Sequence, residues 1–237
     1  MDTLTSGERI RYSRQIAIPE IGIEGQNKIC NSKILVIGSG ALGSMVSMQL
    51  AGAGVGTLGI CDYDNIDISN LQRQFFFKSS EAGISKADII AQRANELNPT
   101  IKIKTFNSFI TSKLALDIFP SFDFIIDATD NPESKRMTGK ISGETDKPCC
   151  IGGVREFGGQ IMTFLPTDPR FEEYFGEATG DGFLPCSLGG VMGPAAALCA
   201  SIQASETLKY VVGAGELLSG CILLFNLLDN SFLKFRL

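Results

Sequence analysis

The chain of 237 residues contains no histidine, and none of its seven cysteines falls in a Cys-x-x-Cys pair. A four-ligand thiolate or thiolate–imidazole zinc site is therefore not expected. No apolar run reaches about 20 residues without a polar interruption, so no membrane span is expected. The nearest candidate, 189–212, carries Gln203, Glu206 and Lys209 and reads as a buried helix rich in small residues. Positive charge is also short: the net charge is −5, which argues against nucleic acid as a partner. The opening stretch MDTLTSGERIRYSRQ is polar and charged, unlike a signal peptide. An odd cysteine count without an export signal implies reduced thiols in the cytoplasm. Cys30, Cys61, Cys149, Cys150, Cys199 and Cys221 read as small buried hydrophobes.

What is present is ordinary for a globular protein: 44% hydrophobic and 20% charged residues, enough for a sizeable core. Strand and helix patterns alternate. ILVIG (34–38) is a β-branched run closing on glycine, as in a strand buried on both faces. Helical spacing follows over 41–53, with Gly54 as a stop. Further strands are expected at 57–61, 101–105, 122–126, 149–152 and 160–165, the last after a Gly158-Gly159 turn. Helices are expected at 85–97, ended by Asn98-Pro99, and at 132–144. The last third ends in a hairpin pattern: 221–228, an Asp229-Asn230-Ser231 turn, then FLKFRL. The expected fold is α/β, a Rossmann-like doubly wound sheet, mostly parallel, with an antiparallel C-terminal extension. It reads as one domain over 1–237: a nucleotide-binding part (1–165), a mobile loop (166–185), and a C-terminal helix and hairpin (186–237).

Gly38-Ser39-Gly40-Ala41-Leu42-Gly43 is G-x-G-x-x-G between a strand and a helix. The first glycine allows a tight turn, the second lets backbone approach a phosphate, and the third lets helix pack on strand. The helix start adds free N–H donors and a positive dipole end. Asp62 ends the next strand, 19 residues beyond Gly43, where a carboxylate can take ribose hydroxyls. This much suits ATP, NAD or FAD equally.

The segment CDYDNIDISNLQRQFFF (61–77) adds Asp64, then Asn70, Arg73 and Gln74 at spacings i, i+3 and i+4. Capped by Ser69, a short helix would place those three on one face, an amide and a guanidinium together toward phosphate oxygens. Lys86 opens the next helix as a second cation. Asp130 follows the 122–126 strand on the same sheet edge, where a carboxylate facing polyphosphate suits Mg2+. It could instead cap the helix at Pro132, or Asn131 could cap while Asp130 binds metal.

With these residues assembled, the chain resembles the ubiquitin-activating-enzyme superfamily in its bacterial ThiF/MoeB/HesA branch. The matching stretches are RYSRQ (11–15), GIEGQ (22–26), GSGALGS (38–44), 53–74, GISKA (83–87), LNP (97–99), IDATDN (126–131) and CSLGGVMGP (186–194). The resemblance implies an ATP-dependent adenylyltransferase that activates the C-terminal Gly-Gly carboxylate of a small ubiquitin-like sulfur-carrier protein. The thiamine carrier is favoured by overall resemblance, with the molybdopterin carrier as an alternative. Gly38, Gly40, Ala41, Leu42 and Gly43 would cradle the nucleotide, Asp62 hold the ribose, Asn70, Arg73 and Lys86 contact phosphates, and Asp130 take Mg2+. Arg14 would reach the phosphates of a neighbouring subunit, implying a homodimer. Cys186 stands at a family cysteine that in some relatives enters later acyl chemistry; a core cysteine is the other reading. Many relatives bind zinc through two Cys-x-x-Cys pairs; here one would fall at 168–177, which has no cysteine, and the other beyond Leu237.

A C-terminal carboxylate, with pKa near about 3.5, is ionised at neutral pH and needs no general base. A histidine-free protein can therefore run this reaction by positioning and by cations that offset phosphate charge. Two rivals remain open at this stage. An NAD(P)-linked oxidoreductase would use the same glycine loop and Asp62 but leaves 70–74 and Asp130 unexplained. An inactive partner of a heterodimeric activating enzyme would be expected to lose the Arg, Lys or Asp that this chain keeps.

Overall fold

The structure is a computed structural model, and it describes residues 4–168 and 190–237. Eight strands form one sheet: β1 (Lys33–Ile37), β2 (Thr57–Cys61), β3 (Lys102–Phe106), β4 (Phe124–Asp127), β5 (Cys149–Arg155), β6 (Gly158–Phe164), β7 (Cys221–Asn226) and β8 (Ser231–Arg236). Their order is β3-β2-β1-β4-β5-β6-β7-β8. The first five pair in parallel and the last four antiparallel, β5 belonging to both sets. The expected Rossmann-like architecture with an antiparallel C-terminal extension is what the chain forms.

The β-branched strands are buried on both faces because helices cover both. Ile34 and Val36 of β1, Leu58 and Ile60 of β2, and Phe124 and Ile126 of β4 point into one apolar cluster. It is closed by α4 (Ala41–Ala53), α5 (Lys86–Leu97) and α8 (Gly193–Val212). The intervening Leu35, Ile37 and Ile125 point the other way, against α6 (Ser112–Ile118), α7 (Pro132–Glu144) and the Phe119–Ser121 turn. The period of 2 along each strand makes both clusters from the same few residues.

Two expectations need correction. Gly158-Gly159 is not the turn: β6 begins at Gly158, and the reversal lies at Glu156, whose φ is +53°. The two glycines are strand residues under a neighbour, since a Cβ at Gly159 would sit 2.5 Å from the Phe225 ring of β7. The N-terminal stretch also holds helices that periodicity did not indicate: α1 (Ser6–Arg11), α2 (Ser13–Ile16) and α3 (Gly22–Asn31). The first two are too short for a 3.6-residue period to register.

Those helices are tied down by buried polar side chains. Gln15 donates to Gln26 Oε1 (2.9 Å) and to the Ala53 carbonyl (3.1 Å), and Gln26 donates to the same carbonyl (2.9 Å). Asn98, fully buried, donates to the Tyr12 hydroxyl and to the Ala51 carbonyl, both at 2.8 Å, and its Oδ1 accepts from the Thr100 hydroxyl at 2.8 Å. Tyr12 and Gln15 of RYSRQ, Gln26 of GIEGQ and Asn98 of LNP thus meet at the end of α4 in a packing node. Asn98→Ala leaves a backbone carbonyl and a hydroxyl without their buried partner, so it should lower unfolding stability by about 2–4 kcal/mol. Chemical denaturation measures this; a loss below about 0.5 kcal/mol, the range of neutral surface changes, would show that the node carries no such load.

Candidate functional site

The strand order places the site. β1 pairs with β2 on one side and β4 on the other, so the chain leaves the carboxyl ends of β1 and β4 in opposite directions and opens a crevice there. A cleft of about 650 Å3 fills it. Its lining includes Gly38, Gly40, Ala41, Leu42, Asp62, Asp64, Asn70, Arg73, Gln74, Lys86 and Asp130. Residues 90 positions apart in sequence are therefore brought to one cavity, as their places at strand ends predicted.

The glycine loop is built by close approach. Gly38 has φ +89°, and a Cβ there would meet the Ala128 carbonyl oxygen at 3.0 Å. A Cβ on Gly43 would lie 1.7 Å from the Gly38 carbonyl oxygen, so the third glycine packs on the first. Gly43 consequently stands behind the loop and not in the cleft lining. Gly40 starts α4 with no side-chain cap, which leaves first-turn N–H groups directed at the cleft.

Asp62 is pinned on both sides: one carboxylate oxygen accepts from Ser39 N–H of the glycine loop, the other from Asp64 N–H at 2.7 Å. Burial raises its pKa above the ordinary aspartate value, against the opposing pull of those two N–H groups. The carboxylate thus fastens the end of β2 to the loop after β1, a role in addition to the one foreseen for it.

Each of the two cations has a partner within the cleft. Lys86 is 5% exposed, and its Nζ lies 2.9 Å from Asp64 Oδ2. Arg73 donates to Asn70 Oδ1 at 2.9 Å, so the amide and guanidinium are held together. The helical turn that carries them differs from expectation: Asp67, not Ser69, caps it, accepting from Ser69 N–H (2.8 Å) and hydroxyl (2.6 Å). An aspartate in extended backbone can close an Asx turn on the residue two along, which a helix beginning at Asn70 would forbid. The 3-10 turn spans Ile68–Asn70, and Arg73 and Gln74 N–H both close on the Asn70 carbonyl (3.1 and 3.0 Å). Gln74 is buried beneath Gly40, and its Oε1 has no hydrogen-bond partner among the described residues.

Asp130 is exposed at the cleft wall, and Asn131 caps α7 by accepting from Ser134 N–H at 2.7 Å. The division of labour between cap and free carboxylate is the one the sequence allowed. Mg2+ is commonly held by one or two carboxylates together with substrate phosphates rather than by an all-protein cage. Among the described residues no three His, Cys, Asp or Glu gather to hold a metal, so Asp130 at the wall of a cleft large enough for a nucleotide fits a metal held in that shared way. Arg14 is exposed on α2 and does not line this chain's cleft. Cys186, most of the expected 166–185 loop and most of the 168–177 segment lie outside the described residues.

Sequence reasoning missed Ser108, Phe109 and Ile110, which follow β3 and line the cleft. Tyr63 and Phe109 meet edge to face with ring centroids 5.1 Å apart. The signal was available: β3 runs parallel to β1 and β2, so its carboxyl end reaches the same edge.

The family model described as "ThiF family" matches residues 12–237. "Adenylyltransferase and sulfurtransferase MOCS3" of Dictyostelium discoideum is 36% identical over 99% of this chain and 56% of its own length. "Probable adenylyltransferase/sulfurtransferase MoeZ" of Mycobacterium tuberculosis is 35% identical over 97% of this chain and 60% of its own. The chain thus spans little more than half of these relatives. It covers 88% of the "Sulfur carrier protein adenylyltransferase" of Thermus thermophilus, at 33% identity over 97% of this chain. Among solved structures, E. coli MccB in complex with MccA-N7isoASN superposes with a TM-score of 0.85 at 20% identity, over 98% of this chain and 72% of that one, a likeness of fold.

The described cysteines are mostly inert packing. Burial pushes Cys61, Cys149 and Cys199 up to about 12, and Cys150 well above its ordinary value. Raising a thiol's pKa depletes the thiolate, and at pH 8 a pKa of 12 leaves roughly one thiolate in ten thousand. Alkylation of the native protein at pH 8 should therefore leave these four unmodified in peptide mass maps, and unfolding should expose all four. Rapid native labelling of any of them would contradict the packing described.

Proposed function

The chain belongs to the ThiF family, whose model it matches from residue 12 to 237, and from that membership and the cleft together we propose that it adenylates the C-terminal carboxylate of a small ubiquitin-like sulfur-carrier protein. The observation that carries the reading is the convergence of Arg73, Lys86, Asp130 and the start of α4 on one cavity at the strand-order switch. A carboxylate oxygen of the carrier's terminal glycine attacks the α-phosphorus of ATP. The bond to the β,γ-phosphates breaks, pyrophosphate leaves with the electron pair, and an acyl-adenylate remains. The nucleophile is already ionised, so no side chain need accept a proton.

Each residue then has a physical task. The first-turn N–H groups of α4 and the glycine loop hold phosphate oxygens. Asp62 would take the ribose hydroxyls. Arg73, oriented by Asn70, and Lys86, released from Asp64 as phosphate takes its place, offset charge that grows on the phosphates. Mg2+, held by Asp130 together with the phosphates, would supply further charge neutralisation there. Arg14, exposed and off its own cleft, suits a homodimer in which it completes the partner's site. Cys186 would act after adenylation, as an acceptor for the activated carrier.

On the carrier's identity, the names of the relatives favour a molybdopterin-type carrier over the thiamine carrier that overall resemblance suggested, since one relative is a "Probable molybdopterin-synthase adenylyltransferase" of Porphyra purpurea, 37% identical over 99% of this chain. A cytoplasmic location accords with the free thiols.

Magnesium-dependent ATP–pyrophosphate exchange, with Gly-Gly-ended carriers added one at a time, tests this directly. Exchange with one carrier is the expected result and names the partner. ATP binding without exchange for any carrier would identify an inactive partner subunit, and failure to bind ATP would return the dinucleotide reading. Arg73→Ala and Lys86→Ala should each slow exchange by on the order of 10²-fold or more. Near-normal rates in both, in variants that unfold at wild-type temperature, would remove these cations from the mechanism.

A further inference from the structure

Asp130 makes no hydrogen bond or ion pair of its own among the described residues, so only its backbone places it. On its C-terminal side that backbone is fixed by the Asn131 cap. On its N-terminal side it is fixed by Thr129, and Thr129 is held three times. Its N–H and its hydroxyl donate to Asp127 Oδ1, at 3.0 and 2.7 Å. Its carbonyl accepts from Lys135 Nζ at 2.5 Å.

Lys135 stands in the first turns of α7, and its side chain reaches back toward the helix start, beneath residues 128–130. An ammonium has three N–H donors. Lys135 has three acceptors: the Thr129 carbonyl, the Gly152 carbonyl of β5 at 2.6 Å, and Asp127 Oδ1 at 3.3 Å. The side chain is 12% exposed and its partner Asp127 is fully buried. The loop bearing Asp130 is thereby bolted to the neighbouring strand β5 through one cation. Gln203 of α8 strengthens the anchorage, donating to the Asp127 carbonyl at 2.8 Å.

We propose that Lys135 is a positioning residue for the metal ligand: by clamping Thr129 to β5 it sets where the Asp130 carboxylate stands in the cleft, and so sets the Mg2+ affinity of the nucleotide complex. The inference rests on the reading of Asp130 as the Mg2+ residue. Lys135 does not line the nucleotide cleft; it lines an adjoining cavity of about 510 Å3 that shares Asp130 with that cleft. Its loss should therefore act on the metal and leave the metal-free nucleotide alone. A lysine that only stabilised the fold would instead weaken both together, or neither.

The test is calorimetric binding of a non-hydrolysable ATP analogue, once in EDTA and once across a Mg2+ titration, with no turnover involved. In Lys135→Met the affinity in EDTA stays at the wild-type value, while the Mg2+ needed for half of the metal-dependent tightening rises by roughly 10–100-fold. Lys135→Arg, which keeps the charge but places its donors differently, falls between. Because Lys135→Met leaves the buried Asp127 carboxylate without its cationic partner, the double variant Asp127→Asn/Lys135→Met, which removes both charges, is measured alongside and shows the same Mg2+ defect. Wild-type Mg2+ dependence in either variant, or an equal loss of affinity with and without Mg2+, overturns the proposal. If Mg2+ fails to tighten the analogue even on the wild-type protein, it is the reading of Asp130 that falls.

Discussion

The backbone contact between the loop after β1 and the loop after β4 is the constraint from which the rest of this site follows. Gly38 lies against the Ala128 carbonyl, and the Ile37 carbonyl accepts from Ala128 N–H at 2.8 Å. With side chains of ordinary size the two loops would stand apart, and the crevice at the switch in strand order would be a gap rather than a cradle. Because they touch, the start of α4 and the residues up to Asp130 face one space at fixed separation. The Gly43–Gly38 packing then leaves the backbone of the loop little room to move away. Asp62 closes the third side by joining the end of β2 to Ser39 N–H.

Polar groups buried in the core extend that arrangement outward. Glu206 of α8 accepts from the Thr163 hydroxyl and from Leu218 N–H, both at 2.7 Å, and so fixes the antiparallel half of the sheet to the helix beneath it. Gln203, one turn earlier, binds the Asp127 and Cys150 carbonyls of β4 and β5. A single helix face thus registers both halves of the sheet against each other. Hydrogen-bonded groups of this kind cost little when satisfied and much when stranded, so they specify one arrangement more sharply than apolar packing does.

Much of this was legible from short-range pattern. The strands showed because Ile, Val and Leu crowd them, and the glycine loop because strand, glycines and helix follow one another in order. Lys86 and Asp130 were legible because they stand at a helix start and just past a strand, and Asn70 and Arg73 because their spacing puts an amide and a guanidinium on one face. What escaped depends on distance in sequence. Nothing local indicates that Lys86 meets Asp64, or that Lys135 meets Gly152, since both partnerships are made by the fold. Ser69 was the expected cap, and Asp67 takes that place because its backbone is extended. Gly158 and Gly159 imitate a turn in sequence, yet they are glycines because Phe225 occupies the space their side chains would need.

The pairing of Lys86 with Asp64 has a further meaning for the resting protein. A cleft that collects cations for a triphosphate would otherwise present a bare positive well to every small anion around it. Here Lys86 is already met by a carboxylate from the cleft's own wall. Under the proposed function, a lone sulfate or orthophosphate would have to displace that carboxylate with the grip of one group only, whereas a triphosphate would also engage the loop and the helix start. On that reading, selectivity for the longer anion would be a competition between Asp64 and the ligand for one ammonium group.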